Sequence, residues 1–290
     1  MIKGRPRRRA RAVILLLLLP ISLLFIVFYL LPLYGLLHYS FYGYSRLTGI
    51  IHTFTTENYR RALGDSYYVL SLMRTIRFAA LTTVLVSLVG YPVAYYLSVA
   101  SARVRGLIIL FILSPLLVSV IVRTFGWIII LGPNGILDLA VKAFGFESGN
   151  ILHTEAAAII GLANVLLPFF VLSVASSLQA VDPLILLAAS SLGAPPVKVF
   201  LRVILPLSMP GVLAGALIVF SLASSSYITP ALLGGSGFKV LAVLIYQQAL
   251  VLQNWPFAAA LAVVLVCAVL LIQILQSRLI ERRNYRAFVQ

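Results

Sequence analysis

The groups able to carry chemistry in this 290-residue chain are few and scattered. Its one cysteine, Cys267, sits in an apolar run, which excludes an intramolecular disulfide and any multi-cysteine metal centre. The histidines His38, His52 and His153 have no spacing of the HExxH or CxxC kind that would gather metal ligands. None of the lysines Lys3, Lys142, Lys198 and Lys239 follows a glycine, so the Gly-Lys-Ser/Thr core of a phosphate-binding loop cannot be assembled. The expectation is no catalytic residue, no metal and no cofactor in this chain; if ATP drives the protein, a partner subunit binds and hydrolyses it.

The notable polar residues lie instead inside apolar stretches. Ser221, Ser224, Ser225, Ser226, Tyr227 and Thr229 form the densest cluster. Read as one helix, they put Ser221, Ser225 and Thr229 on a common face and Tyr227 one turn from Ser224. Arg123 has Trp127 one turn on, and Asn164 with Pro168 reads as a polar kink. Polar groups within a bilayer usually face a cavity or a partner helix. Arg123, Trp127, Asn164, Ser224, Ser225 and Tyr227 are therefore candidate residues of a translocation pathway. Helix packing is the alternative for the hydroxyl residues; for Arg123 it is snorkelling to an interface or pairing with an acid of a partner subunit. Gly211, Ala214 and Gly215 are expected to serve packing.

The elements that must position these residues follow from composition. Hydrophobic residues make up 62% of the chain and charged residues 10%, far from the roughly 25% charged content of soluble proteins. The chain reads as an all-α integral membrane protein. A span needs about 20 apolar residues, and six stretches qualify: 12–37, 69–99, 106–131, 155–178, 209–233 and 256–275. They divide the chain into a basic tail 1–11, a first span 12–37, a loop 38–68, a core 69–280 holding the other five spans, and a tail 281–290. The first span resembles a signal peptide but is too long and lacks an A-x-A site, so it reads as an uncleaved anchor.

A net charge of +15 in a soluble chain would point to nucleic acid. Here it sets topology. With the N-terminus inside, Lys3, Arg5, Arg7, Arg8, Arg9, Arg11, Arg103, Arg105, Lys198, Arg202, Arg278, Arg282, Arg283 and Arg286 all fall on the cytoplasmic side. Arg46, Arg60, Arg61, Lys142 and Lys239 fall outside, balanced by Glu57, Asp65, Asp138, Glu147 and Glu155. Arg74 and Arg77 sit at the start of the second span. Both termini are expected in the cytoplasm, with anionic lipid as a partner of the tails. Outside, the aromatic loop 38–68 and the segment 132–154, a turn at Gly132-Pro133-Asn134-Gly135 followed by an amphipathic helix through Phe144, suit contact with a soluble partner or the capping of the bundle.

One inner segment, 179–208, is long and strongly apolar. Asp182 before Pro183 is a helix start, Gly193 a left-handed stop, and Pro195-Pro196 a restart. In the second helix Val197, Phe200, Leu201 and Ile204 share one face, Lys198 and Arg202 another, and Pro206 is expected to end it. Two short helices meeting at a glycine make a rigid knob. An interfacial hairpin without a partner is the alternative.

Leu187-Ala188-Ala189-x3-Gly193-x9-Val203-x-Leu205-Pro206 resembles the EAA-x3-G-x9-I-x-L-P signature of permease subunits of binding-protein-dependent ABC importers of the type I fold. Phe54-Thr-Thr-Glu-Asn-Tyr59, Val122-Arg-Thr-Phe-Gly-Trp127 with Asn134-Gly135, Pro168-Phe-x-Val-Leu172, Leu178-x-x-Val-Asp182, Ile228-Thr-Pro-Ala-Leu-Leu-Gly-Gly235 and Asn254-Trp-Pro256 are similar to the spermidine/putrescine branch, the PotB and PotH type. The resemblance implies a six-helix permease fold in a bacterial inner membrane. It also implies a related second permease, two ATP-binding subunits and a periplasmic solute-binding protein as partners. It implies that 179–208 docks on the ATPase through Leu187, Ala188, Ala189, Gly193, Phe200, Val203, Leu205 and Pro206. Ala188, Ala189 and Gly193 would allow close approach and the turn; Val203, Leu205 and Pro206 would fix the second helix and its re-entry into the membrane.

Two positions depart from the signature: Leu187 stands where the family usually has glutamate, and Ser191 where an aspartate is common. No acid lies deep in any span, and Ser226 and Ala231 occupy positions where polyamine-type relatives often carry glutamates. A polyamine-type solute is therefore weighed against an amino-acid-like solute, phosphonate or another anion. A self-sufficient secondary transporter should show matching broken spans in two repeats, and a membrane enzyme clustered acids, histidines or a nucleophile with its base; neither pattern is found.

Overall fold

The computed structural model describes residues 17–143 and 151–287. Six helical segments among them are long and apolar enough to cross a membrane: Leu17–Tyr39, Ser66–Val99, Val120–Leu139, Glu155–Gln179, Pro196–Ser225 and Trp255–Arg278. The basic residues Lys3 to Arg11, the beginning of the expected first span, Phe144 at the end of the expected amphipathic helix, and the last three residues of the C-terminal tail lie outside the described residues.

The chain divides into two compact units. The first comprises Met1–Asp65 and Gln247–Val266. It contains helix α1 (Leu17–Tyr39), strands β1 (Tyr42–Ser45) and β2 (Gly49–Phe54), and helix α2 (Glu57–Gly64). The segment expected as a loop is thus an antiparallel hairpin followed by a helix. Its register pairs Ser45 with Gly49 and Tyr42 with Phe54. The turn uses Gly49 at φ +75°, a conformation glycine adopts without a Cβ penalty. The motif residues Phe54 to Tyr59 staple it together. Phe41 packs between the rings of Phe54 and Tyr59 at centroid distances of 5.1 and 5.0 Å. Asn58 Nδ2 donates to the carbonyls of Ser40 and Tyr42 at 2.9 and 2.8 Å. On the exposed side, Glu57 accepts from Arg60 at 2.9 Å and raises the guanidinium pKa, by the hydrogen bond first and by charge second.

The second unit comprises Ser66–Tyr246 and Cys267–Gln290. It contains α3 (Ser66–Val99), α4 (Ala102–Leu117), α5 (Val120–Leu131), α6 (Ile136–Ala143), α7 (Glu155–Gln179), α8 (Pro183–Ser191), α9 (Pro196–Ser225) and α10 (Ile228–Leu233). Helices α11 (Leu241–Val251) and α12 (Trp255–Ala287) have residues in both units.

Helix α7 is the centre of the second unit, flanked by α3 and α9, and its Phe170, Val171 and Val174 are fully buried. Close approach of α9 depends on small residues, as expected for Gly211 and Gly215. A Cβ on Gly211 would lie 2.6 Å from the Ser173 carbonyl and 2.5 Å from Ser177 Oγ. Hydrogen bonds then tie the helices together: Ser173 Oγ donates to the Gly211 carbonyl at 3.1 Å, and the Tyr91 and Ser208 hydroxyls meet at 2.9 Å. Such polar contacts satisfy groups that have no water to turn to within a bilayer. Outward-facing large apolar side chains, such as Leu88, Phe111 and Leu117, leave an apolar surface suited to lipid.

Two expected spans are not continuous. The third divides into α4 and α5 at the extended residues Val118 and Ser119. Pro115 has no N–H to give the Phe111 carbonyl; the Ser114 hydroxyl supplies the donor instead at 2.8 Å. The fifth starts at Pro196 rather than near 209, and breaks at Ser226, whose ψ of 131° is extended, before α10 begins. The turn at Gly132 to Gly135 forms as expected, with Asn134 at φ 58° and its N–H donating to Asp138 at 2.8 Å.

Candidate functional site

The helix–glycine–helix element that begins at Asp182 is built by local rules. Asp182 caps α8 by accepting from the Leu184 N–H at 2.9 Å, and Pro183 occupies the first helical position, where a missing N–H is harmless. The helix stops at Gly193, φ +76°. The Ala194 N–H returns to the Ala189 carbonyl at 3.3 Å, the six-to-one bond of a Schellman stop. Leu187, Ala188, Leu192 and Gly193 are exposed, which gives the turn an apolar, uncharged outer surface where the signature glutamate is absent.

The second half differs from expectation. Pro206 does not end a helix. Residues 196 to 225 run on as one helix because Phe200–Ile204 adopts a π turn, which absorbs the missing donor and ring bulk of Pro206. The wider turn also changes which side chains face inward. Phe200 sets its ring edge-on to Tyr91 and Tyr95 at 5.8 and 6.0 Å, and Ile204 is buried, whereas Val197 and Leu201 are exposed. Val203 and Leu205 are half-buried and Pro206 is exposed. The element is therefore anchored through Phe200 to α3 and continuous with α9, so it cannot move without carrying a span-length helix.

The two broken spans meet at one cavity of about 310 Å³. Leu116, Val118, Val120 and Arg123 line it from the α4–α5 break, Ser226 and Thr229 from the α9–α10 break, and Phe169 belongs to the α7 wall. Arg123 is partly buried, and its guanidinium donates to the Pro115 carbonyl at the end of α4. Its observed partner is thus a backbone carbonyl at a helix C-terminus, a favourable site for a cation. No carboxylate lines the cavity among the described residues.

The other pathway candidates do not converge here. Trp127 lies against α7, within reach of Gly161. Asn164 lines a separate, mostly apolar cavity of about 680 Å³ with Val93, Ser114 and Pro115. Ser224 is buried, with its hydroxyl on the Phe220 carbonyl at 2.7 Å; Ser225 is exposed and donates to Leu222 at 3.2 Å. Tyr227 stacks on Tyr246 at 5.0 Å. The common helical face expected for Ser221, Ser225 and Thr229 does not exist, because the break at Ser226 resets the helix phase. Ser221 instead receives a hydrogen bond from Gln273.

At the opposite end of α3, Arg77 forms a two-pronged ion pair with Glu155 in the first turn of α7, and Arg74 donates to the Gly237 carbonyl at 3.3 Å. Thr75 Oγ1, between them, accepts from the Leu241 N–H at 2.8 Å. These contacts hold the helix start at one end of the unit. The sequence offered the arginines but not their partners, which are distant in the chain.

A family profile described as "Binding-protein-dependent transport system inner membrane component" matches residues 86–285. The spermidine/putrescine transport system permease protein PotB of Haemophilus influenzae is 33% identical over 234 residues, 79% of this chain and 82% of its own length. PotB of Escherichia coli K12 is 31% identical over 263 residues, covering 89% of this chain and 95% of that protein. Among solved structures, a chain of a bacterial alginate ABC transporter in complex with an alginate pentasaccharide-bound periplasmic protein superposes with a TM-score of 0.77. It covers 96% of this chain and 98% of that one at 15% identity, a likeness of fold.

Proposed function

The chain belongs to the family of binding-protein-dependent transport system inner membrane components, and from that premise we propose that it forms half of the translocation pathway of an ABC importer. It is an ABC importer permease subunit. In the proposed assembly a related permease supplies the other half, two ATP-binding subunits supply hydrolysis, and a periplasmic protein delivers the solute, all at a bacterial inner membrane with both termini cytoplasmic. The chain itself performs no catalysis and binds no cofactor.

The observation that carries this reading is the exposed helix–glycine–helix element welded to α9. Closure of an ATPase dimer around such a knob becomes rotation of α9, and with α9 moves one wall of the cavity at the broken spans. Each ligand then biases one of two states of the membrane helices. Leu187, Ala188, Ala189 and Gly193 are the docking surface, with Phe200, Val203, Leu205 and Pro206 transmitting its motion. Arg123, Ser226 and Thr229 face the pathway, with Trp127, Asn164 and Tyr227 flanking it.

The solute is polyamine-type, spermidine or putrescine, on the strength of the PotB relatives. The second reading, a neutral or anionic small solute, is favoured by one observation: the cavity offers a guanidinium and hydroxyls and no carboxylate among the described residues. Uptake into proteoliposomes by the assembled importer with its binding protein separates the two. ATP-driven entry of labelled spermidine supports the polyamine reading; ATP-driven entry of an anion alone supports the other. ATP hydrolysis never linked to uptake overturns the importer reading itself.

A further inference from the structure

A third cavity, of about 500 Å³, lies beside the base of the coupling element. The span-length helices α3 and α7 end at its rim, at Val99 and Gln179, which puts it at the level of a membrane surface. Leu178, Val181 and Ile204 supply apolar wall, and Ser98, Gln179 and Arg105 supply polar groups. Arg105 spends one guanidinium nitrogen on the carbonyls of Ser98 and Ala100, both at 3.3 Å, where α3 ends. Its Nε is buried and has no hydrogen-bond partner among the described residues. A buried donor on a charged group left unpaired is costly. Asp182, between two lining residues, turns a carboxylate oxygen to the Leu184 N–H instead.

We propose that this cavity binds an anionic phospholipid, whose phosphate pairs with the Arg105 guanidinium and whose first methylenes lie against Leu178, Val181 and Ile204. The charge is complementary, since Arg103, Lys198 and Arg202 are exposed on the neighbouring segments and add to the positive field. The shape is complementary as well: a free phosphate would leave the apolar wall bare, whereas a lipid covers it and satisfies the guanidinium together. Charge-assisted bonds from arginine to phosphate are among the stronger hydrogen bonds. Because Pro183 and Ile204 line the same cavity, bound lipid stiffens the base of the knob at both of its ends.

The test is retention of phosphatidylglycerol by the full-length chain after transfer from mixed phosphatidylglycerol–phosphatidylcholine nanodiscs, counted by native mass spectrometry. Arg105→Gln should lower retention by more than about tenfold, the loss of a charged hydrogen bond, while Arg103→Gln on the same turn should lower it no more than about fivefold, the effect of one basic residue at a membrane surface. Arg105→Lys should keep part of it. Val181→Phe, which fills the apolar wall and spares Arg105, should also lower retention, and keeps the test valid if Arg105→Gln fails to fold. Equal losses in Arg103→Gln and Arg105→Gln would reduce the effect to general surface charge and overturn the proposal. So would unchanged retention in Val181→Phe with displacement of the lipid by inorganic phosphate, which would make the site a free-anion site, or loss of thermal stability in Arg105→Gln with lipid retention intact, which would leave Arg105 as a helix cap only.

Discussion

The knob at 182–206 and the cavity at the broken spans treat the same helix, α9, in opposite ways. At the knob, local bonds do the shaping: an aspartate cap, a left-handed glycine stop and a π turn that carries the helix past a proline. At the cavity, α9 stops at the extended Ser226, beside the α4–α5 break that presents Arg123 and a capped carbonyl to the same space. One region is shaped by contacts within its own stretch of sequence, and the other is lined by residues from several separate elements. A permease needs both: a handle that transmits force without deforming, and a pathway whose breaks can rearrange.

The comparison can be broken at its shared support first. Gly211→Leu places a side chain against Ser173 and Ser177, an overpacking that costs about 3 kcal/mol. It should lower the thermal midpoint and abolish uptake and ATPase association together; retention of either one would mean the two regions do not depend on α9. Next, Arg123→Ala removes a charged hydrogen bond worth roughly 1.5–3 kcal/mol. Uptake by the assembled importer should fall while ATPase association stays, with Arg123→Lys intermediate. Gly193→Val forces a β-branched residue into the left-handed region at roughly 1–2 kcal/mol. It should do the reverse, weakening ATPase association with little change in the stability of the α3–α7–α9 core. The smallest effect is expected from Asp182→Ala, about 1 kcal/mol for a lost cap, seen as faster amide exchange over 183–191 and slightly weaker association.

The fold class and the knob were legible because their signals are local. A proline after an aspartate, a glycine ten residues on and a paired proline specify caps whichever way the rest of the chain folds. Pro206 misled for the same reason: read locally it stops a helix, and only the π turn upstream, stabilised by Phe200 between Tyr91 and Tyr95, lets the helix pass. The cavity was only partly legible. Arg123 and the Ser221 to Thr229 cluster stood out as polar groups in apolar surroundings. Their geometry did not, since helical spacing assumed a continuity that Val118-Ser119 and Ser226 interrupt, and their partners Pro115 and Gln273 lie across a break or on another helix. The hairpin at 42–54 was missed altogether, although the β-prone Tyr42, Tyr44, Ile50, Ile51, Thr53 and Phe54 on either side of Gly49 are a strand signal.

Because the knob's docking is the central claim, the most direct measurement pairs Gly193 with a residue of the same exposed surface. The full-length chain, co-expressed with its ATPase subunit and purified in detergent, should retain that subunit as wild type. It should lose most of it as Gly193→Val or as Ala188→Trp, while both variants keep the wild-type thermal midpoint. Undiminished ATPase recovery with both variants would contradict the account and return the element to a hairpin resting on the membrane surface.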